Sequence, residues 1–180
     1  MRKYRKKFKI EKIAIAFLII LSIAMIIYSN NLFQKPYFVS NYTFEKKSGL
    51  LFEYEISKYP TYARILNVEP GKNISIGVVN DPWNLAFGEV PGKGSFVRRY
   101  VDLQNLNDKK VKIELKVYGN ISQKVNFSEN NFWLFPNETK RVTIFFFTNQ
   151  TIEGYFEGEI DIIVKKAKYD FSYFFEKILW

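Results

Sequence analysis

The 180-residue chain contains no cysteine and no histidine. Without cysteine there are no disulfides, so any folded part outside a reducing compartment must be held by its core alone. It also leaves no cysteine for a lipid anchor. The two absences together exclude Ser-His-Asp and Cys-His catalytic arrangements, histidine general bases and the ordinary zinc sites. What remains is rich in apolar matter. Hydrophobic residues make up 47% of the chain and aromatics 18%, which supports a packed core and argues against disorder. The length allows one domain and a short appendage.

Lys and Arg exceed Asp and Glu by nine, a balance that by itself suggests a nucleic-acid partner. Its distribution argues against one. Residues 1–12, "MRKYRKKFKIEK", hold seven basic residues and one acidic, and the other 168 residues are nearly balanced. The basic tail precedes sixteen uncharged residues, Ile13–Tyr28. At about 1.5 Å per residue this run falls somewhat short of a hydrocarbon layer about 30 Å thick. Lys12 and Tyr28 can make up the difference in the headgroup regions. Ser22-Ile23-Ala24 resembles a signal-peptide cleavage site, but the apolar run continues through Met25-Ile26-Ile27. An uncleaved anchor in the cell membrane is therefore expected, with the N-terminus cytoplasmic and residues 29–180 outside.

Residues 29–48 read as a polar stalk. Beyond it, period-two alternation predicts strands at Leu50–Ile56, Ile74–Val78, Phe96–Leu103, Lys110–Tyr118, Val142–Thr148 and Ile160–Val164. Turn signals such as Pro91-Gly92, Asn107-Asp108, Pro136-Asn137 and Asn149-Gln150 separate them. Short strands at this spacing indicate an antiparallel sandwich over residues 49–168. The last residues, 169–180, carry Asp170 as a cap and Phe171, Phe174, Phe175, Ile178 and Leu179 at helical spacing. They predict a short amphipathic helix, too short to span a bilayer or to stand alone in water. Its apolar stripe is expected against the face carrying Phe145, Phe147 and Ile163. The alternatives are the membrane surface or a second copy of the chain.

"WNLAFGEVPGKGS", Trp83–Ser95, raises the question of a phosphate loop. Lys93 lies between Gly92 and Gly94, Gly88 is only four positions before Gly92, and strand alternation follows where a helix should begin. Spacing and context both fail, so no nucleotide is expected. The stretch "LAFGEVPGKGSFVRRYVDLQN" instead resembles the opening of Ig-like sandwich modules of the Hydin and major-sperm-protein-like type. Leu85, Phe87, Gly88, Val90, Gly92 or Gly94, Val101, Leu103 and Asn105 carry the resemblance. Phe135, Pro136, Glu138, Val142 and Ile144 continue it, as do Gly154, Phe156, Gly158 and Ile160. Asn137 stands where such modules usually have glycine, and Arg99 where a small residue is common. The resemblance covers about residues 62–166 and implies a binding or structural module without catalysis. The inward-facing set is then Val101, Leu103, Ile113, Leu115, Val142, Ile144 and Ile160.

Other constellations have plain readings. Glu157, Glu159 and Asp161 share one strand face, expected to be solvated because no calcium loop accompanies them. Lys110, Lys112 and Lys116 read as an edge-strand guard. Phe132, Trp133 and Tyr155 read as core or cross-strand aromatics. The sequon Asn-x-Ser/Thr occurs six times, at Asn41, Asn73, Asn120, Asn126, Asn137 and Asn149, where chance placement gives about one or two. All lie in the segment that charge assigns to the outside.

The sequence thus predicts an all-β, Ig-like sandwich on one N-terminal transmembrane helix with a C-terminal amphipathic helix. Neither catalysis nor a metal or cofactor is expected. The partners expected are the membrane, through residues 13–28, and a surface-layer or other envelope protein. Composition and sequons suggest an archaeal cell surface. The competing class is a carbohydrate-binding or carbohydrate-active surface protein using aromatics and the carboxylates Glu53, Glu55, Glu157 and Glu159.

Overall fold

Alternation of apolar and polar residues resolves into strands in the computed structural model, which describes residues 17–24, 38–67, 83–151, 153–169 and 171–172. The chain divides into two units, Met1–Pro36 and Tyr37–Trp180. In the first, residues 17–24 are helical, and the Ser22 hydroxyl donates to the Leu18 carbonyl at 2.8 Å. Among the described residues no helix is long and apolar enough to cross a membrane. Residues 13–16 and 25–28 of the expected anchor lie outside the described residues, as do the expected strand Ile74–Val78 and residues 173–180 of the expected C-terminal helix.

The elements of the described part of the second unit are strands except for a 3-10 turn at Asn120–Lys124. Its strands are β1 (Thr43–Ser48), β2 (Phe52–Leu66), β3 (Gly88–Pro91), β4 (Phe96–Gln104), β5 (Val111–Gly119), β6 (Val125–Phe127), β7 (Phe132–Leu134), β8 (Thr139–Phe147) and β9 (Gly154–Ala167). One sheet runs β1-β2-β9-β5-β7, with the short β3 paired in parallel to β2. The other runs β4-β8-β6. Every remaining pairing is antiparallel.

The sheets pack face to face because alternate residues on each are apolar. Val111, Ile113 and Leu115 of β5 meet Val142 of β8 and Ile162 of β9, with Val101 and Leu103 of β4 against them. At the other end Ala63, Ile65, Val90 and Ile160 meet Ile144 and Phe146. Of the seven residues expected to face inward, Ile113, Leu115, Val142, Ile144 and Ile160 belong to these clusters, and half-buried Val101 and Leu103 pack against them.

Part of the segment expected as a stalk, Thr43–Ser48, is strand β1 and pairs with Glu53–Lys58 of β2. The basic row Lys110, Lys112 and Lys116 follows an edge only in part, because β5 has β9 on one side and β7 along part of the other. β7 covers only Val111–Ile113. Beyond it the Asn130 side chain takes over. Its Oδ1 accepts from the Leu115 amide at 2.7 Å and its Nδ2 donates to the Leu115 carbonyl at 2.9 Å.

Candidate interaction surface

The outer face of the three-stranded sheet carries aromatic and charged residues of β4 and β8. β4 and β8 are in register with Phe96 opposite Phe147, Arg98 opposite Phe145, Tyr100 opposite Thr143 and Asp102 opposite Arg141. Phe145 and Phe147 stack at 5.8 Å between centroids, and Phe96 lies 6.0 Å from Phe147. Arg98 sits over the Phe96 ring at 5.8 Å and Arg141 over Tyr100 at 5.7 Å. Arg141 also donates two bonds to Asp102, 2.7 and 2.8 Å long. Its guanidinium holds the Asp102 carboxyl below the usual carboxylate range, the expected effect of a bidentate cation. Phe96 is 52% exposed and Tyr100 54%. Aromatic rings and guanidinium groups thus alternate along the outer face of this sheet.

Phe145 and Phe147 therefore do not share a face with Ile163. Ile163 lies on β9, in the other sheet, opposite Ile56 and Glu114. Its own face departs from expectation too. Glu159 and Asp161 are 0% and 1% exposed, so this strand face is not solvated, although Glu157 next to them is exposed. Lys58, opposite Asp161, and Lys165 are also buried. Buried charges must be paired or hydrogen-bonded. The Val39 amide donates to Glu159 Oε2 at 2.8 Å, and Lys58 pairs with Glu45 of β1. The hydrogen bond from Lys58 outweighs desolvation and lowers the Glu45 pKa. On the same face, burial and the carboxylates Asp161, Glu114 and Glu159 push the Tyr118 phenol up to about 12. These pairings join residues far apart in sequence, and local pattern carries no signal for them.

The turn after β3 is the corner of a sheet. Consecutive amides of Gly92, Lys93 and Gly94 donate to the carbonyls of Leu66, Thr151 and Asn149. Amides committed to protein carbonyls cannot also cradle a phosphate. Arg99, unusual at its place, is tied down by Nε donating to the Ala86 carbonyl at 2.7 Å. Phe132 is core, Trp133 lies beneath Lys110 at 4.6 Å, and Tyr155 is exposed.

Of the sequon asparagines, Asn41, Asn120, Asn126, Asn137 and Asn149 are all exposed, and Asn73 lies outside the described residues. Asn120 is engaged, its Oδ1 accepting from the Glu157 amide at 2.7 Å. Asn126 sits on β6 opposite Phe145, beside the aromatic face. Asn137 and Asn149 occupy turns with φ of 60° and 50°, a conformation asparagine tolerates well. Of the expected C-terminal stripe, Phe171 is exposed and stacks on Tyr169 at 5.2 Å. Phe174, Phe175, Ile178 and Leu179 lie outside the described residues. No protein-family model, curated protein or solved structure matches the chain.

Proposed function

We propose that the chain is a membrane-tethered, extracytoplasmic binding or scaffold module that works by holding an envelope or surface-layer protein, without catalysis. The observation that carries this reading is the outer face on which exposed Phe96, Arg98 and Tyr100 flank half-buried Phe145 and Phe147. Aromatics and arginine are the residues that anchor protein interfaces, and here they are preorganised by cross-strand pairing. Arg98 selects a partner surface that is apolar with acidic groups at its margin. The basic tail ahead of the apolar run supports the membrane tether, and the exposed sequons agree with an outside location.

The two-sheet architecture supports an Ig-like module of the Hydin and major-sperm-protein-like type. Asn137, at the place of the usual glycine, has the positive φ that glycine would take there. Of the four carboxylates of the carbohydrate-active alternative, Glu53 and Glu157 are exposed but lie towards opposite ends of the β2–β9 pairing, opposite Lys166 and Tyr62. Glu159 is wholly buried, and Glu55 is paired with Lys46 at 2.8 Å.

A photo-reactive amino acid placed at Tyr100 of the full chain in native membranes should give a discrete cross-link to an envelope protein. Arg98→Glu should weaken it, and the same probe at exposed Glu89 on β3 should not produce it. Cross-linking that is equal at both positions, or absent at both, would overturn the reading.

A further inference from the structure

A second surface feature lies away from the aromatic sheet face, in the six-stranded sheet where β1 begins. A cleft of about 420 Å³ is lined by Ser40, Asn41, Tyr42, Pro60, Trp83 and Asn84. Trp83 is 61% exposed although it is the largest side chain there. It is not loose. The Tyr42 ring stands 5.1 Å from Trp83 and 4.9 Å from Tyr59, tilted at 53° and 51°. Tyr42 is thus held between two aromatics, and its hydroxyl lies 3.5 Å from Ser57 Oγ.

The polar groups are placed to complement that ring pair. Asn84 uses its Oδ1 to accept from the Ala86 amide, which orients the side chain, and its NH₂ group is a donor. Ser40 and Asn41 are exposed and line the same cleft, adding a hydroxyl and an amide that both donate and accept. An exposed aromatic wall beside two amides and a hydroxyl suits a ligand with one apolar face and a rim of hydroxyls. A pyranose ring has that form, with axial C–H groups on a flat face and hydroxyls at the edge. Among the described residues that line the cleft none is charged, and to these a neutral sugar is better suited than a phosphate or carboxylate.

We infer that this cleft is a pyranose-binding site, with Trp83 as the stacking platform and Asn84, Ser40 and Asn41 as the hydroxyl readers. It deepens the cell-surface reading, on which it rests for a supply of glycans. The sugar has two sources. It can be a free or partner-borne saccharide, or a glycan carried by Asn41, which heads the sequon Asn41-Tyr42-Thr43. A tethered sugar would occupy the cleft at high effective concentration.

The test uses the full chain labelled with 5-fluorotryptophan, in a detergent without a sugar headgroup. The ¹⁹F resonance of Trp83 is assigned by Trp83→Phe and followed during titration with methyl glucoside, galactoside, mannoside and N-acetylglucosaminide. A saturable shift confined to Trp83, and weakened at least tenfold by Asn84→Ala, establishes the free-sugar source. If no glycoside binds, chain from a glycosylating host is compared with its Asn41→Gln variant. A Trp83 resonance displaced in the former and restored by the substitution establishes the tethered source. No Trp83 response in either arm overturns the inference. The cross-linking at Tyr100 is independent of both arms, so failure of the sugar site and failure of the protein-binding reading are told apart.

Discussion

Gly158 of β9 stands opposite Gly119 of β5, and neither position has room for a side chain. A Cβ on Gly158 would meet the Tyr118 carbonyl, with Ile121 Cγ2 close behind at 2.9 Å. The obstacle is backbone, which cannot swing aside as a flexible side chain can. Gly158→Ala should therefore cost about 1–3 kcal/mol, as overpacking generally does, and lower the melting temperature by several degrees. Gly154→Ala meets only the Phe156 ring and should be much milder. Equal melting of the two variants would contradict the packing. Tyr118, beside this glycine pair, gives a pH signature. Its pKa of about 12 lies above the ordinary phenol value, so the folded state favours the protonated form. Its contribution is complete below pH about 10 and is lost as pH rises toward about 12. Tyr118→Phe should flatten the alkaline fall in chemical-denaturation stability over that window. An unchanged profile would mean that neither burial nor Asp161, Glu114 and Glu159 raise the phenol.

At the scale of the element, the Asn130 side chain substitutes for a strand along the part of β5 that β7 does not reach. Its amide makes both bonds a neighbouring backbone would make to Leu115. Asn130→Ala should cost about 0.5–1.5 kcal/mol and speed hydrogen exchange at the Leu115 amide. Asn130→Asp keeps the acceptor and should restore the protection in part. Exchange unchanged by both would show that the strand edge needs no such partner. Strand positions were legible here because period-two alternation is local: Val111, Ile113 and Leu115 declare their face without reference to any other strand. Pairing was not legible. β2 and β9 are long partners over Phe52–Ile65, and β2 changes its more buried face along its length. Phe52, Tyr54, Ile56 and Lys58 are buried on one side, then Thr61, Ala63 and Ile65 on the other. No strand can announce which layer will cover each half. The same blindness made Glu159 and Asp161 read as solvated, and placed Phe145 and Ile163 on one face. The Pro136-Asn137 turn, by contrast, was legible. Glu138 closes it by donating its amide to the Phe135 carbonyl at 3.0 Å, and its chemistry is confined to four residues.

For the whole molecule, core and location call for different experiments. Ile144 is fully buried where β8 crosses the larger sheet, and Ile113 nearly so. Either residue changed to Ala should cost about 2–5 kcal/mol, a large share of a small domain's stability. Gln104→Ala, on the exposed face of β4, should cost little; comparable losses would mean that the sheets do not pack through these residues. Location rests on charge order. The local excess of Lys and Arg lies within the first twelve residues, directly ahead of the apolar run, and such tails remain cytoplasmic. The exposed sequon asparagines follow that run in sequence, and on the proposed topology they would lie outside. Protease added to intact cells or spheroplasts should therefore degrade residues 29–180 and spare an epitope fused to Met1. A protected domain would overturn the outside assignment, and with it the supply of envelope partners and sugars. A soluble form beginning near Met25 would instead show that the apolar run is cleaved, leaving the domain outside but untethered. Degradation with the N-terminus spared, and no such soluble form, is the outcome that charge order and the unbroken apolar run predict.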